Sequence, residues 1–155
     1  MKVFVFLSCF ILSLVGCSSF HAPPPKQVGH AVQPPAIQTK EDKVSMLLQE
    51  AHRLANRVQA GEITRTQAAD QLNQYRLHLV GTNRVDDSTF VTYRDLAKSR
   101  DEGAISQDES FARMEIKLRD WQRRWPTLSS PPANPAFTNF LLHLYNLPPL
   151  GKDTY

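Results

Sequence analysis

The sequence predicts an all-α protein: a small four-helix bundle over residues 40–126, built from two similar helical hairpins, followed by a short C-terminal helix within residues 127–155. Three observations predict it. Apolar residues recur at the three- and four-residue spacing of a single helix face through four consecutive stretches. Each stretch is closed by Gly or Pro, and the last three are opened by a residue that caps helix N-termini. The two halves also match at a constant offset of 42 residues, pairing Leu54-Ala55 with Leu96-Ala97, Gly61 and Ile63 with Gly103 and Ile105, Thr64 with Ser106, Gln67 with Glu109 and Leu72 with Met114. The shared unit is a helix, a left-handed Gly, an apolar plug and a hydroxyl cap with its Gln or Glu partner. Two copies fall short of the three that a solenoid usually needs, which favours a bundle.

Ahead of the bundle, Met1-Lys2 supplies one positive charge and Val3 to Val15 is an apolar run broken only by Ser8, Cys9 and Ser13. Its thirteen residues are too few for a membrane span, which needs about 20, and fit a signal-peptide core over residues 1–16. Leu14-Val15-Gly16-Cys17 resembles the bacterial lipobox at all four positions. That resemblance implies cleavage before Cys17, diacylglycerol on its thiol and acylation of its amine, an anchor of two or three chains. Ser18 and Ser19 follow, where lipoproteins retained in the inner membrane of enteric-type cells carry Asp. The resemblance therefore implies, in a Gram-negative cell, the inner leaflet of the outer membrane. From Cys17 to Thr39 the chain is rich in Pro, Gln and small residues, with Pro23-Pro24-Pro25 and Pro34-Pro35. It reads as a tether spanning ~70 Å if polyproline-like and ~25 Å as a coil.

The first helix starts at Lys40, with Val44, Leu47, Leu48, Ala51, Leu54, Ala55 and Val58 on its stripe and Glu41 and Asp42 in the first turn, where the helix dipole favours them. Gly61 stops it. Thr64 and Gln67 form a capping box for the second helix, which turns Ala68, Leu72, Tyr75 and Leu79 inward and ends at Gly81. Asp86 or Asp87 caps the third, whose stripe is Phe90, Tyr93, Leu96 and Ala97 and which runs to about Arg100. Ser106 and Glu109 open the fourth, with Phe111, Met114, Leu118, Trp121 and Trp125 inward and Pro126 at its end. After a breaker segment, Asn134-Pro135 reads as a cap followed by Pro at the first helical position. The short helix it opens carries Phe137, Phe140, Leu141, Leu142, Leu144, Tyr145 and Leu147 around more than one face. It is expected to dock on the bundle, since large exposed apolar patches are rare on monomers; held free, it would offer Phe137, Phe140, Leu141, Leu144 and Tyr145 to a partner.

Residue chemistry narrows the function classes. With 18 basic and 15 acidic residues the charge balance is too even to argue for nucleic acid. The two cysteines are Cys9, inside the signal segment, and Cys17, so no thiol is left for a disulfide, a zinc site or a nucleophile. No two of the five histidines have the i, i+4 spacing of metal ligands, and the Gly-x-Ile turns lack the carboxylates of a calcium loop: Lys98 and Arg100 stand where the first ligands would be. No metal, cofactor or catalytic group is expected. Asp101, Glu102, Asp108 and Glu109 read as a solvated turn rather than an acidic knob for a basic partner. Arg113, Lys117, Arg124 and Trp125 on the fourth helix suggest a basic, aromatic face for an anionic surface, against which both Trp continue the core stripe of Phe111 and Leu118.

The expected function is accordingly non-enzymatic: an outer-membrane-anchored lipoprotein, facing the periplasm, that binds another envelope protein through its apolar C-terminal helix and the groove between the repeated hairpins, as an accessory or assembly module of a secretion, pilus or conjugation machine. The alternatives are a lipid-anchored inhibitor, immunity or exclusion protein and, third, a peptidoglycan-associated factor.

Overall fold

A computed structural model describes residues 39–151, which lie within one compact unit of the chain. The signal segment, Cys17 and the tether as far as residue 38 lie outside the described residues. Every regular element among the described residues is helical: α1 (Lys40–Gln59), α2 (Arg65–Val80), α3 (Arg84–Asp101), α4 (Gln107–Arg124), a 3₁₀ turn (Trp125–Thr127) and α5 (Ala136–Leu144).

The two hairpin turns are built alike, as the 42-residue offset requires. Gly61 (φ +72°) and Gly103 (φ +69°) occupy the left-handed region just past the ends of α1 and α3. In both, the Gly N–H reaches back three residues, to the carbonyls of Val58 and Arg100, and the next N–H reaches back five, from Glu62 to Arg57 and from Ala104 to Ser99. That is a Schellman motif, which satisfies the carbonyls a helix end leaves orphaned. Ile63 and Ile105 then plug against the core, and the side chains of Thr64 and Ser106 accept from the N–H groups of Gln67 and Glu109.

Two helix starts differ from expectation. α3 begins at Arg84 with Asn83 as its cap, accepting from the Asp86 N–H, so Asp86 lies inside the first turn. α5 begins at Ala136 with Pro135 in the cap position and no local side-chain acceptor, so Asn134 does not cap it. The Asp86 carboxylate supplies that cap from across the core: it accepts from the N–H groups of Phe137 (3.2 Å) and Thr138 (2.8 Å), the Thr138 hydroxyl (2.8 Å) and Asn83 Nδ2 (2.8 Å). Asp101, at the other end of α3, does the same for α2, accepting from the N–H groups of Arg65 (3.1 Å) and Thr66 (2.8 Å). A carboxylate that would be mildly unfavourable at the C-terminus of its own helix is thereby set against the N-terminus of another.

Consecutive helices pack as neighbours, and α5 lies against α1, α3 and α4. No comparable packing joins α1 to α4 among the described residues; α5 stands in the seam where a closed four-helix bundle would bring them together. Its Phe137 meets Phe90 and Tyr93 edge-on, with ring centres 6.0 and 5.8 Å apart. α5 is therefore part of the bundle's core, and the tail after it folds back as well: Leu150 is buried, and its N–H and carbonyl both bond to the Asn139 side chain.

Besides Asp86, a second charged residue lies in the core with no counterpart in the apolar pattern. Arg76 of α2 is only 2 % exposed. Its Nη2 lies 2.7 Å from Asp87 Oδ1, its Nε donates to Asn73 at 2.9 Å, and its guanidinium carbon sits 5.9 Å from the ring centres of both Phe90 and Phe137. The planar cation is thus held by aromatic faces and one carboxylate.

Candidate functional site

Because α5 is short, it fills only part of the α1–α4 seam. Nine residues of helix cover ~13 Å, whereas the 18 of α4 run ~27 Å. The uncovered part is a half-open groove of about 420 Å³. Its walls are the C-terminal halves of α1 and α3 and the N-terminal halves of α2 and α4, the four stretches that adjoin the repeated turns. Leu54, Leu72, Leu96 and Met114, two pairs related by the repeat, form its buried floor.

Residues expected in a closed core are found on the rim instead. Phe111 is 50 % exposed, and Ala55 is exposed outright. The pattern reads them as core because they lie beside the stripe, but no helix covers them at this level. Phe111 is held by Tyr145, the C-cap of α5, whose ring stacks on it at 4.2 Å with 14° between planes. The pair forms the end wall where α5 stops.

The polar groups of the groove suit binding. Burial raises the pKa of Tyr93, with the nearby Arg100 charge offsetting part of the effect. Burial pushes Tyr145 up to about 12, helped by Tyr93 and Glu115. Both phenols therefore stay neutral, as hydrogen-bonding groups, at any physiological pH. Two arginines stand at the rim with different surroundings. Arg65 is paired with Asp101 at 3.3 Å. Arg100 donates only to the neutral Gln107, at 3.2 Å, and no carboxylate pairs with it among the described residues.

The repeat points to a groove between the hairpins as a contact surface, but not to its lining. Arg100 is one of 18 basic residues with nothing local to distinguish it, and the length mismatch between α5 and the seam shows only once the helices are packed.

The residues expected to meet a partner divide. Phe137, Phe140 and Leu141 are buried in the core and cannot form a contact surface. Docking of α5 into the seam removes them from solvent. Leu144, 42 % exposed, and Tyr145, half-buried at the groove's end, still reach the surface.

The basic, aromatic face is rearranged too. Its aromatic centre is the buried Trp121, with Lys117 Nζ 5.4 Å and the Arg124 guanidinium carbon 4.8 Å from the ring centre. Trp125 belongs to the 3₁₀ turn and is half-buried against the core. Each cation is already engaged: Arg113 with Glu109, Lys117 with Ser88 Oγ at 2.9 Å, and Arg124 with Asp120. The acidic turn is likewise committed in part, since Asp101 serves α2 and Glu109 serves Arg113.

No protein-family model, curated protein or solved structure matches this chain. The groove is accordingly read from its own geometry.

Proposed function

We propose that this chain is a lipoprotein anchored in the outer membrane through Cys17, which holds its helical domain in the periplasm to bind another envelope protein as an accessory or assembly module. One observation supports the binding role above the others: the bundle leaves a seam open, with a buried apolar floor and a half-exposed Phe111 at its edge. Exposed aromatic anchors beside a desolvated pocket are what protein interfaces use for most of their energy. The anchoring rests on the lipobox resemblance of residues 14–17.

Crosslinking in intact cells, followed by purification of the tagged chain, tests the reading. Phe111→Asp is the informative variant, because Phe140→Asp would place a charge in the core and unfold the domain. A stoichiometric envelope protein recovered with the wild type and lost with Phe111→Asp is the expected result. Recovery of no protein with either form removes the binding-module reading. Separately, Cys17→Ser should move the chain out of the outer-membrane fraction while its helical signal is retained; unchanged fractionation would refute the anchor.

A further inference from the structure

We propose that the groove receives a short amphipathic helix from a partner protein, with apolar side chains at i and i+3 or i+4 on the floor and a carboxylate against Arg100. This rests on the partner-binding reading above and specifies the chemistry of that partner.

The seam itself names the shape of its occupant. α5 packs against α1, α3 and α4, and the groove opens beside its C-cap Tyr145, walled by the same three helices and α2. α5 also shows what the seam accepts: it buries Phe137, Phe140 and Leu141 at helical spacings of three and four, with Thr138 and Leu142 buried beside them. In the open half the floor is equally apolar, and alanines at 55, 68 and 97 line the walls, so an incoming backbone can approach closely. A half-open channel suits a helix that keeps its polar face in water.

Charge supplies the orientation. Of the two rim arginines, Arg65 is neutralised by Asp101, whereas Arg100 faces the groove with only an amide for company. The α1 rim opposite contributes the neutral Ala55 and Gln59. An acidic side chain on the incoming helix would find one cation, on one wall, and would fix the direction in which the helix lies. A charge-assisted hydrogen bond of this kind is worth roughly a tenfold change in affinity.

The test uses the full chain carrying Cys17→Ser. Twelve-residue helix-biased peptides displayed on phage are selected against it, and the enriched peptides, labelled with fluorescein, are titrated by anisotropy. The expected peptides carry the apolar spacing together with Asp or Glu. They should lose about tenfold in affinity on Arg100→Ala and at least as much on Phe111→Asp, with the circular dichroism of both variants unchanged. Selection against Arg100→Glu should enrich Lys or Arg at the matching position. Peptides without the spacing, or binding indifferent to both variants, would overturn the proposal. So would saturable binding of the fluorescent fatty acid cis-parinaric acid, lost on Phe111→Asp, with no peptide enriched: the occupant would then be an acyl chain. If cells yield an envelope partner while the selected peptides ignore Arg100 and Phe111, the partner-binding reading stands and this one falls.

Discussion

Removing the Asp86 carboxylate should loosen α5 from the bundle more than any other change to a polar side chain. Asp86 is 0 % exposed and is the sole side-chain cap of α5, whose Pro135 offers none. In Asp86→Ala the N–H groups of Phe137 and Thr138 lose their acceptor in a buried setting, at about 1–3 kcal/mol each. Against this stands relief of the desolvation that the carboxylate itself suffers. The net expectation is a loss of about 3 kcal/mol. With a urea slope of roughly 1.5 kcal/mol per molar, the unfolding midpoint should fall by ~2 M. Asp86→Asn keeps one oxygen for Thr138 but turns an NH₂ group toward donors, and should cost about half as much.

The pH dependence adds a second readout. Burial raises the Asp86 pKa, with the bonds from Thr138, Asn83 and Phe137 pulling it back. Because the folded state holds this proton more tightly than the unfolded state, the contribution is full below pH 3.8 and declines as pH rises through the folded value. The stability difference between wild type and Asp86→Asn should therefore narrow as pH rises above about 4. A midpoint shift under ~0.5 M for Asp86→Ala, or equal losses for Ala and Asn, would refute the capping argument.

Three further outcomes are expected. Asp101 behaves oppositely: burial raises its pKa somewhat, but the bonds from Thr66 and Arg65 outweigh this and hold it at about 2, so its contribution is present above pH 3.8 and lost as pH falls toward 2. Discounted for its solvent exposure, the Asp101→Asn loss should be about 1 kcal/mol at pH 7, vanishing near pH 2 in urea titrations. Gly61→Ala and Gly103→Ala should each cost about 1 kcal/mol by thermal melting, since the added Cβ meets open space in both and the penalty is the left-handed backbone alone; unequal costs would break the equivalence of the two turns. For the buried cation, Arg76→Met should be close to neutral in denaturant stability, whereas Asp87→Ala, which strands the charge, should cost about 3 kcal/mol; the reverse order would mean that the ion pair itself holds α2 to α3.

The helical class, the positions of α1, α2 and α4 and the kinship of the two hairpins were readable along the chain, because each depends on residues within a turn or two of one another. A Schellman turn needs its Gly, a capping box needs its hydroxyl and partner three residues on, and an amphipathic stripe needs only its period. The start of α3 was misplaced by three residues for an equally local reason, since Asn83 competes with Asp86 as a cap and both are good ones.

What only the tertiary structure decided concerns residues whose partners are far off in sequence. Asp86 looks like a helix-start residue and proves to cap α5, some 50 positions away; Arg76 has no place in the apolar stripe of α2 and is buried beside two phenylalanines; Phe111 looks like core and stands at the edge of an open groove. Periodicity tells which face of a helix is apolar, but whether that face is covered depends on the length and placement of the helix opposite. Here the nine-residue α5 stops at the Phe111–Tyr145 stack, and its shortness leaves both the groove and the exposure of Phe111.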